Sequence, residues 1–517
     1  PLERVLVQFM RKNNGFKRPY QPRQARECMP LRVTVLVANL ALATLGLSAC
    51  VSMEPAYKQP DLPVPNRYAE AAAAQSGAQA GMLAWEDFSA DAQLNALVRQ
   101  ALANNRDLRA AVLRVEEARA AYGIQRADIL PTIGTALDAS RTRLPADLSI
   151  TRKPQISDQF QLGVGLSSWE LDLWGRIRNL NEAALQSYLA SDAAQQAVRT
   201  SLVAQVANSY LGLRELDERL ALAQRTAASR AESLRIFRRR VELGATSKFE
   251  LTQVEVLWRQ ATALVTQLEQ ARATQLHGLH LLVGGTVDWP AAEKQATKKL
   301  AQMPRFRDVQ AGLPSDLLLQ RPDIMAAEHA LKGANANIGA ARAAFFPRIA
   351  LTGTFGTAST ELDNLFQSGS SLWKFAPSIS LPIFDGGRRR AALDLAEVRR
   401  DQAVVRYEQA VQSAFRDVSD ALSARHWLGE QLAVLRSMRD VQGERARLAK
   451  LRYDSGAVRY LEVLDAERDL MTVEQQLVQT QRAQLAAQVT LYAALGGGSL
   501  AASAPANAPA PVVTAAP

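Results

Sequence analysis

Four side chains in the last quarter of the chain combine charge and spacing in a usable way. After the stretch Tyr453-Asp-Ser-Gly456-Ala-Val-Arg459 come Leu461, Asp465, Arg468 and Asp469. Leu461 and Asp465 are four residues apart, so on a helix they share one face, with Arg468 and Asp469 one turn further. A carboxylate beside a guanidinium supports attraction, repulsion and hydration rather than bond making. Read alone, Asp465 is an ordinary solvated helix carboxylate. His277 and His280 form an H-x-x-H pair with no third ligand nearby. No Ser/His/Asp set, phosphate-binding loop or G-x-G-x-x-G fingerprint is present, so an enzyme reading has no motif to rest on. The two cysteines, Cys28 and Cys50, both lie near the start, which leaves no disulfide framework and no cysteine metal site.

The elements that must carry these residues are long helices. From Arg388 to Leu495 the sequence reads as two helices with one break at Gly456, the expected left-handed cap. The first arm, to about Tyr453, spans roughly 100 Å at 1.5 Å per residue and must lie along other long helices. The same unit occurs twice. Arg240-Val-Glu-Leu-Gly244-Ala245 answers Arg452-Tyr-Asp-Ser-Gly456-Ala457 (456 − 244 = 212), Gly175 answers Gly387 (again 212), and Gly284-Gly285 answers Gly496-Gly497 (again 212). Upstream of these, Asp107 answers Asp323 and Pro131 answers Pro347, at 216. Landmarks at fixed spacing indicate a duplicated unit. Phe249 then stands opposite Leu461, Gln253 opposite Asp465 and Val256 opposite Arg468, so the charged set belongs to the second copy alone.

Charge does not point to nucleic acid. The 517-residue chain carries a formal +10, but residues 1–32 hold eight Lys/Arg against Glu3 and Glu27; +10 less this +6 leaves +4 for the rest. Arg32 precedes an uncharged apolar run that ends Leu47-Ser48-Ala49-Cys50, a signal peptide closing on a bacterial lipobox whose cysteine is acylated. Met29 fits a translation start better than Pro1. Residues 1–28 are therefore read as an upstream extension, 29–49 as the signal peptide and 50–90 as a lipidated, Pro-rich extended linker. Val51 rather than Asp after the cysteine favours the outer membrane. Residues 498–517, rich in Gly, Ser, Ala and Pro, are expected to be disordered.

Between linker and tail, a helix is expected over 91–128, answered by one over 315–344. Period-two runs follow each: Ile133, Leu137, Ala139; then Phe160, Leu162, Val164, Leu166; in the second copy Ile349, Leu351, Phe355; then Trp373, Phe375, Ile379, Leu381. Runs of about ten residues with aromatics near their ends suit transmembrane β-strands, although a soluble hairpin packed on a helix has the same period. Four strands cannot close a barrel, and open edges are not tolerated in lipid. If they span a membrane, several chains must share one barrel. No apolar run of about 18 residues remains after the signal segment to compete as a transmembrane helix. The copies are thus 91–285 (strands about 131–143 and 158–170, hairpin 176–283) and 315–497 (strands about 347–358 and 372–384, hairpin 388–495), joined by a link at 286–314.

Several segments resemble one family closely: the lipobox cysteine, Leu319-Gln-Arg-Pro-Asp-Ile324, Ala343-Ala-Phe-Phe-Pro-Arg-Ile349, Leu381-Pro-Ile-Phe-Asp-Gly-Gly387 and Tyr460-Leu-Glu-Val-Leu-Asp-Ala466. From about Cys50 to Gly497 the chain resembles the outer-membrane factor family of TolC/OprM-type channels, in its efflux lipoprotein (NodT) branch. The resemblance implies an α+β membrane protein: a homotrimer with a 12-stranded β-barrel, four strands per chain, continuous with a long periplasmic α-helical barrel and a mixed equatorial domain. It implies passive conduction of drugs or other small molecules, with an inner-membrane RND pump and a periplasmic adaptor as partners. No cofactor is expected beyond the lipid on Cys50. The family's periplasmic constriction carries over to Leu461 and Asp465, with Arg468 able to pair the carboxylate; three such carboxylates in a ring repel unless hydrated, protonated or paired, and favour cations. Gly244, Ala245, Thr246, Gly456, Ala457, Val458 and Arg459 at the tips become candidate adaptor contacts. Type I protein secretion and metal-ion efflux remain open within this class. A periplasmic coiled-coil adaptor or scaffold is the rival of a different class, but an adaptor carries one hairpin and this sequence has two.

Overall fold

The computed structural model describes residues 52–68, 77–290 and 299–500. The expected upstream extension, the signal peptide, Cys50 and residues 501–517 lie outside the described residues.

Six segments build each half around the same plan. In the first, α1 (Ala92–Asn104) and α2 (Arg106–Ala127) lead into β1 (Ile133–Leu144) and β2 (Gln155–Glu170), then α3 (Arg176–Glu242) and α4 (Lys248–Val283). In the second, a short helical turn at Leu317–Gln320 and α5 (Pro322–Ala343) lead into β3 (Arg348–Ser359) and β4 (Ser371–Ser380), then α6 (Arg388–Asp454) and α7 (Tyr460–Ala494). The long arms α3 and α6 are 67 residues each, about 100 Å. Both start after a glycine in the left-handed region, Gly175 at φ 74° and Gly387 at φ 86°. Among the described residues no helix is long and apolar enough to cross a membrane.

The single helices expected over 91–128 and 315–344 are corrected by the structure: each is broken once, at equivalent positions. Asn105 is extended; its Oδ1 caps α2 by accepting from Leu108 N (2.9 Å), while its Nδ2 donates to Leu282 O (2.8 Å). Arg321, 216 residues on, is extended as well, and its Nη1 donates to Ala494 O (3.0 Å), the residue 212 beyond Leu282. Two different side chains thus hold the last carbonyls of α4 and α7 in the two copies. The glycines that follow are required by close approach. A Cβ on Gly284 would stand 2.4 Å from Asn104 O, and one on Gly496 would stand 2.3 Å from Gln320 O.

The expected linker over 50–90 is also corrected at its far end. Residues 52–68 form no helix or strand and lie over the helices: Ser52 Oγ donates to Asn179 Oδ1 (2.8 Å), Asn335 Nδ2 donates to Glu54 Oε1 (3.0 Å), and Gln59 Nε2 donates to Tyr407 Oη (2.9 Å). Residues 77–90, however, enter the main core. Ala78 bridges Val309 in the inter-repeat link, and the turn Trp85–Phe88 buries both aromatics. Phe88 stacks between Phe306 (5.0 Å) and Tyr492 (4.3 Å). The beginning of the expected tail belongs to this core as well: Gly498 N donates to Ala80 O (3.0 Å) and Ser499 Oγ to Gln320 O (2.7 Å). Residues 291–298 of the link lie outside the described residues. Its neighbour Trp289 donates through Nε1 to the buried Asp217 of α3 (3.0 Å), whose other oxygen accepts from Arg272 of α4 (2.6 Å).

The sheet is antiparallel in the order β1-β2-β3-β4, so β1 and β4 are its edges. Register sorts its side chains cleanly. Ile133 pairs with Leu166, Leu137 with Leu162, Val164 with Phe355, Phe355 with Trp373 and Ile349 with Ile379, all on one face. That face is apolar and exposed: Phe355, Trp373 and Ile379 are each about 70 % accessible (68 %, 73 % and 71 %). The opposite face holds Gly134, Asp138, Ser140, Gln159, Gln161, Thr352, Thr354 and Lys374. Strand limits differ from the sequence expectation. β2 begins at Gln155, three residues before the expected start, and β4 stops at Ser380, because Pro382 cannot donate to a ladder. A bulge at Ser167 and Ser168 (φ 49°) pairs Trp169 with Leu351, returning the indole to the apolar face after an odd step. Trp174 lies beyond the strand; it stacks on Phe346 (4.7 Å) and donates to Pro347 O (2.9 Å).

Candidate functional site

The two helical hairpins reverse through the same backbone device. Gly244 (φ 70°) and Gly456 (φ 75°) are left-handed, and the next residue's amide reaches back across the turn: Ala245 N to Arg240 O and Ala457 N to Arg452 O, both 2.8 Å. No atom outside the turn lies near either glycine's missing Cβ, so both tips are open. Beyond the turn the copies diverge. Ser247 caps α4 by accepting from Glu250 N (3.2 Å), and Thr246 Oγ1 donates to the Glu250 carboxylate. At the equivalent place in the second copy Arg459 makes no side-chain cap, and Val458 replaces the threonine.

Leu461, Asp465 and Arg468 are brought together on one side of α7. The Leu461 side chain is 42 % exposed, too open for a core leucine. Asp465 Oδ1 is 3.0 Å from Arg468 Nη1. Arg468 also meets Asp469 (3.2 Å), and Asp469 accepts from Arg445 of α6 (2.7 Å). The Arg445 hydrogen bond, helped by Arg468, holds the Asp469 carboxyl below the usual carboxylate range. Two carboxylates and two guanidiniums therefore form a chain linking both arms of the second hairpin. The neighbouring side chains of α7 that turn away from this group are buried: Val463, Leu464 and Ala466 are 2 % exposed or less. Leu464 packs with Leu234, Phe237 and Val254 of the first hairpin.

Residues not singled out in the sequence join the hairpins. Arg240 of α3 donates to the Tyr453 hydroxyl and lies over its ring (5.8 Å). Tyr460 packs against Phe237 (4.8 Å) and Tyr453 (4.9 Å) and shares a hydrogen bond with Ser233. Deeper in the same seam, burial pushes the Glu467 carboxyl above its usual range, with the buried Arg230 drawing it back only in part. The repeat alignment carried a signal for these contacts: Tyr453 and Tyr460 stand where the first copy has Val241 and Lys248. His277 and His280 have ring centroids 6.5 Å apart, and His280 Nε2 lies 3.4 Å from Val287 O; no metal-binding group occurs among the described residues.

An open sheet with one apolar exposed face, continuous with hairpins of this length, defines a barrel-forming membrane channel protein. Residues 97–285 and 313–497 match the outer membrane efflux protein family, and the chain belongs to that family. The starts of the two matches differ by 216 and their ends by 212, the same two offsets found in the sequence. The chain is 43 % identical over 469 residues to outer membrane protein OprJ of Pseudomonas aeruginosa, covering 90 % of this chain and 97 % of the relative. It is 43 % identical over 463 residues to SrpC, a solvent efflux pump outer membrane protein of Pseudomonas putida, covering 88 % and 97 %. Its fold matches the open state of the MtrE outer membrane channel of Neisseria gonorrhoeae with a TM-score of 0.78 and 39 % identity, over 87 % of this chain and 99 % of that one. The chain is thus an outer-membrane efflux channel protein with a periplasmic helical extension.

Proposed function

We propose that three copies form one conduit, with a twelve-stranded barrel in the outer membrane and a helical tube below it. The observation that carries this reading is the four-stranded sheet with free edges at β1 and β4, apolar on one face and polar on the other. Closure needs the β4 edge of one copy on the β1 edge of the next, which puts the apolar face in lipid and the polar face around water. The helices repeat the argument. α5 packs on both α3 and α6, whereas its counterpart α2 packs mainly on α3. The exposed Val112, Leu113 and Ile124 of α2 then meet the exposed Leu395, Val398 and Val405 of α6 in the next copy.

The tube receives small molecules from an inner-membrane pump through a periplasmic adaptor and conducts them passively. The solvent efflux relative supports organic small molecules as cargo. Leu461 and Asp465 of the three copies form the periplasmic constriction, with Arg468 screening each carboxylate. The tips at Gly244, Ala245, Thr246, Gly456, Ala457, Val458 and Arg459 are the adaptor contacts. Cys50 carries the lipid anchor. The test is native mass and planar-bilayer conductance of the detergent-purified protein, with Ala245→Cys and Ala457→Cys cross-linking to co-purified adaptor. A trimer with single-channel steps is expected; a monomer without pore activity overturns the reading.

A further inference from the structure

The outward face of the sheet does not end in apolar residues. Along β1 the residues sharing the face of Ile133 are Thr135, Leu137, Ala139, Arg141 and Arg143. From Ile133 to Arg143 is ten residues, about 33 Å along the strand and about 25 Å along the membrane normal at a tilt of about 40°, which matches an apolar band of about 25 Å. Arg141 and Arg143 therefore stand where hydrocarbon gives way to headgroups, at the end of the sheet away from the helices. This is the outer leaflet, because the helices lie in the periplasm. Arg141 pairs with Asp158 directly across the strands at 3.3 Å yet stays 74 % exposed. Arg143 lies opposite Ile156 and has no ion-pair partner among the described residues. The connection above them adds Arg152 and Lys153, with the fully exposed Ile150 and the exposed Leu148 beside them. The acids nearby are Asp147 in the same connection and Glu361 and Asp363 in the β3–β4 connection; Glu361 accepts from Asn364.

A cation on the lipid side of a barrel is costly at the bilayer centre and cheap only at the interface. Two free guanidinium edges beside exposed apolar side chains suit a ligand with anionic oxygens and acyl chains together. We propose that Arg141 and Arg143, with Arg152 and Lys153 above them, bind the phosphate-bearing headgroup of an outer-leaflet lipid on the outside of the barrel. Guanidinium edges take phosphate oxygens in pairs, and each basic residue at an anionic surface adds measurable affinity. The site is separate from the conduit and from the tips.

Native mass spectrometry of the purified trimer titrated with diphosphoryl lipid A tests this. Phosphatidylethanolamine and inorganic phosphate serve as the zwitterionic and lipid-free probes. The wild-type protein is expected to retain lipid A at concentrations where neither other probe binds. The double variant R141Q/R143Q is expected to bind about tenfold more weakly, R152Q/K153Q to lose a smaller part, and the lumen-facing K374Q to match wild type. A retained trimer mass shows that all three variants are folded, and unchanged conductance of R141Q/R143Q and R152Q/K153Q in planar bilayers shows that the channel reading stands apart. Wild-type lipid A retention in both multiple variants, equal retention of phosphatidylethanolamine, or equal binding of inorganic phosphate overturns the proposal.

Discussion

At the end of α3 the chain reverses through Leu243–Ser247, and at the end of α6 through Ser455–Arg459, with the same left-handed glycine and the same reaching amide. What the two hairpins carry on that common backbone differs at both ends. Near the core, Asp217 of α3 is 1 % exposed and ties α3 to α4 and to the inter-repeat link through Arg272 and Trp289. The equivalent positions in the second hairpin are Gly429 and Gln484, which cannot form an ion pair. Near the tip the pattern inverts: the second hairpin holds Asp465, Arg468 and Asp469, and the first has Gln253, Val256 and Leu257 there. The second hairpin has a tie of its own at the base, since Arg425 of α6 donates to Asp308 of the link (3.0 Å), and the first has ion pairs near its tip, such as Arg238 with Glu255 (4.0 Å). What differs is the buried carboxylate at one base and the Asp465–Arg468–Asp469 set at the other tip. If Leu461 and Asp465 form the constriction, as proposed, the second hairpin is the gate and the first its scaffold.

The strongest way to break this comparison is at the base. Asp217→Ala leaves the guanidinium of Arg272, 19 % exposed, without its carboxylate. Removing one partner of a buried pair costs about 3–5 kcal/mol, so the variant should lose its heat-stable trimer on electrophoresis and show a clearly lowered Tm. The control Gln484→Ala, at the matching base of the second hairpin, should leave both nearly unchanged. Equal losses in the two variants would dissolve the distinction between scaffold and gate.

Next in size is the tip. Asp465→Ala removes the carboxylate from the proposed constriction and should raise single-channel conductance severalfold while weakening cation preference. Gln253→Ala, its counterpart, should alter neither. Conductance that stays at the wild-type level in Asp465→Ala rejects the assignment of the gate. A smaller effect comes from the seam between the hairpins. Glu467 titrates above its usual value because it is buried, so the folded state holds its proton more tightly than the unfolded chain does. Its contribution is therefore fully present below the ordinary glutamate range and is lost as pH rises through the raised value. Tm should fall over that window, and Glu467→Gln should flatten the fall. Asp469 runs the other way: its carboxyl is lowered, so its bond to Arg445 is kept above the ordinary aspartate range and lost only on stronger acidification.

The sequence disclosed the parts of this division that obey a period or an offset. Helical spacing and two glycines located the hairpins. Alternation located the strands, because a face in lipid and a face in water impose period two on every residue between them. The helix break at Asn105 escaped notice because Asn is compatible with a helix until its side chain finds Leu282 O, a contact 177 residues away. Pro322 does mark the break at Arg321, since the residue before a proline is pushed out of the helical region. The bulge at Ser168 and the folding of residues 77–90 into the core likewise depend on partners distant in the chain. At the tip, the i, i+4 and i, i+3 spacings of Leu461, Asp465 and Arg468 were legible; Arg445, on the other arm, was not, because pairing across a hairpin depends on helix rotation that local spacing leaves undefined.

The smallest expected effect sharpens the comparison at a single residue. Ser247 caps α4, and Arg459, its equivalent 212 residues on, leaves the first amides of α7 without a side-chain acceptor. Replacing a capping serine typically costs about 1 kcal/mol of helix stability. Arg459→Ser should return a cap to the second tip, since Glu462 already occupies the place that Glu250 holds in the first. If the second hairpin is the one that moves, the added cap stiffens its turn, and amide hydrogen exchange over residues 458–465 should slow by about fivefold. Ser247→Ala should speed exchange over 246–253 by a similar factor with no change in channel opening. Arg459→Ser, by contrast, should also lower the frequency of opening in planar bilayers. Slowed exchange with unaltered opening would mean that the turn at Gly456 takes no part in gating, and would confine the gate to the charged turn of α7 beyond it.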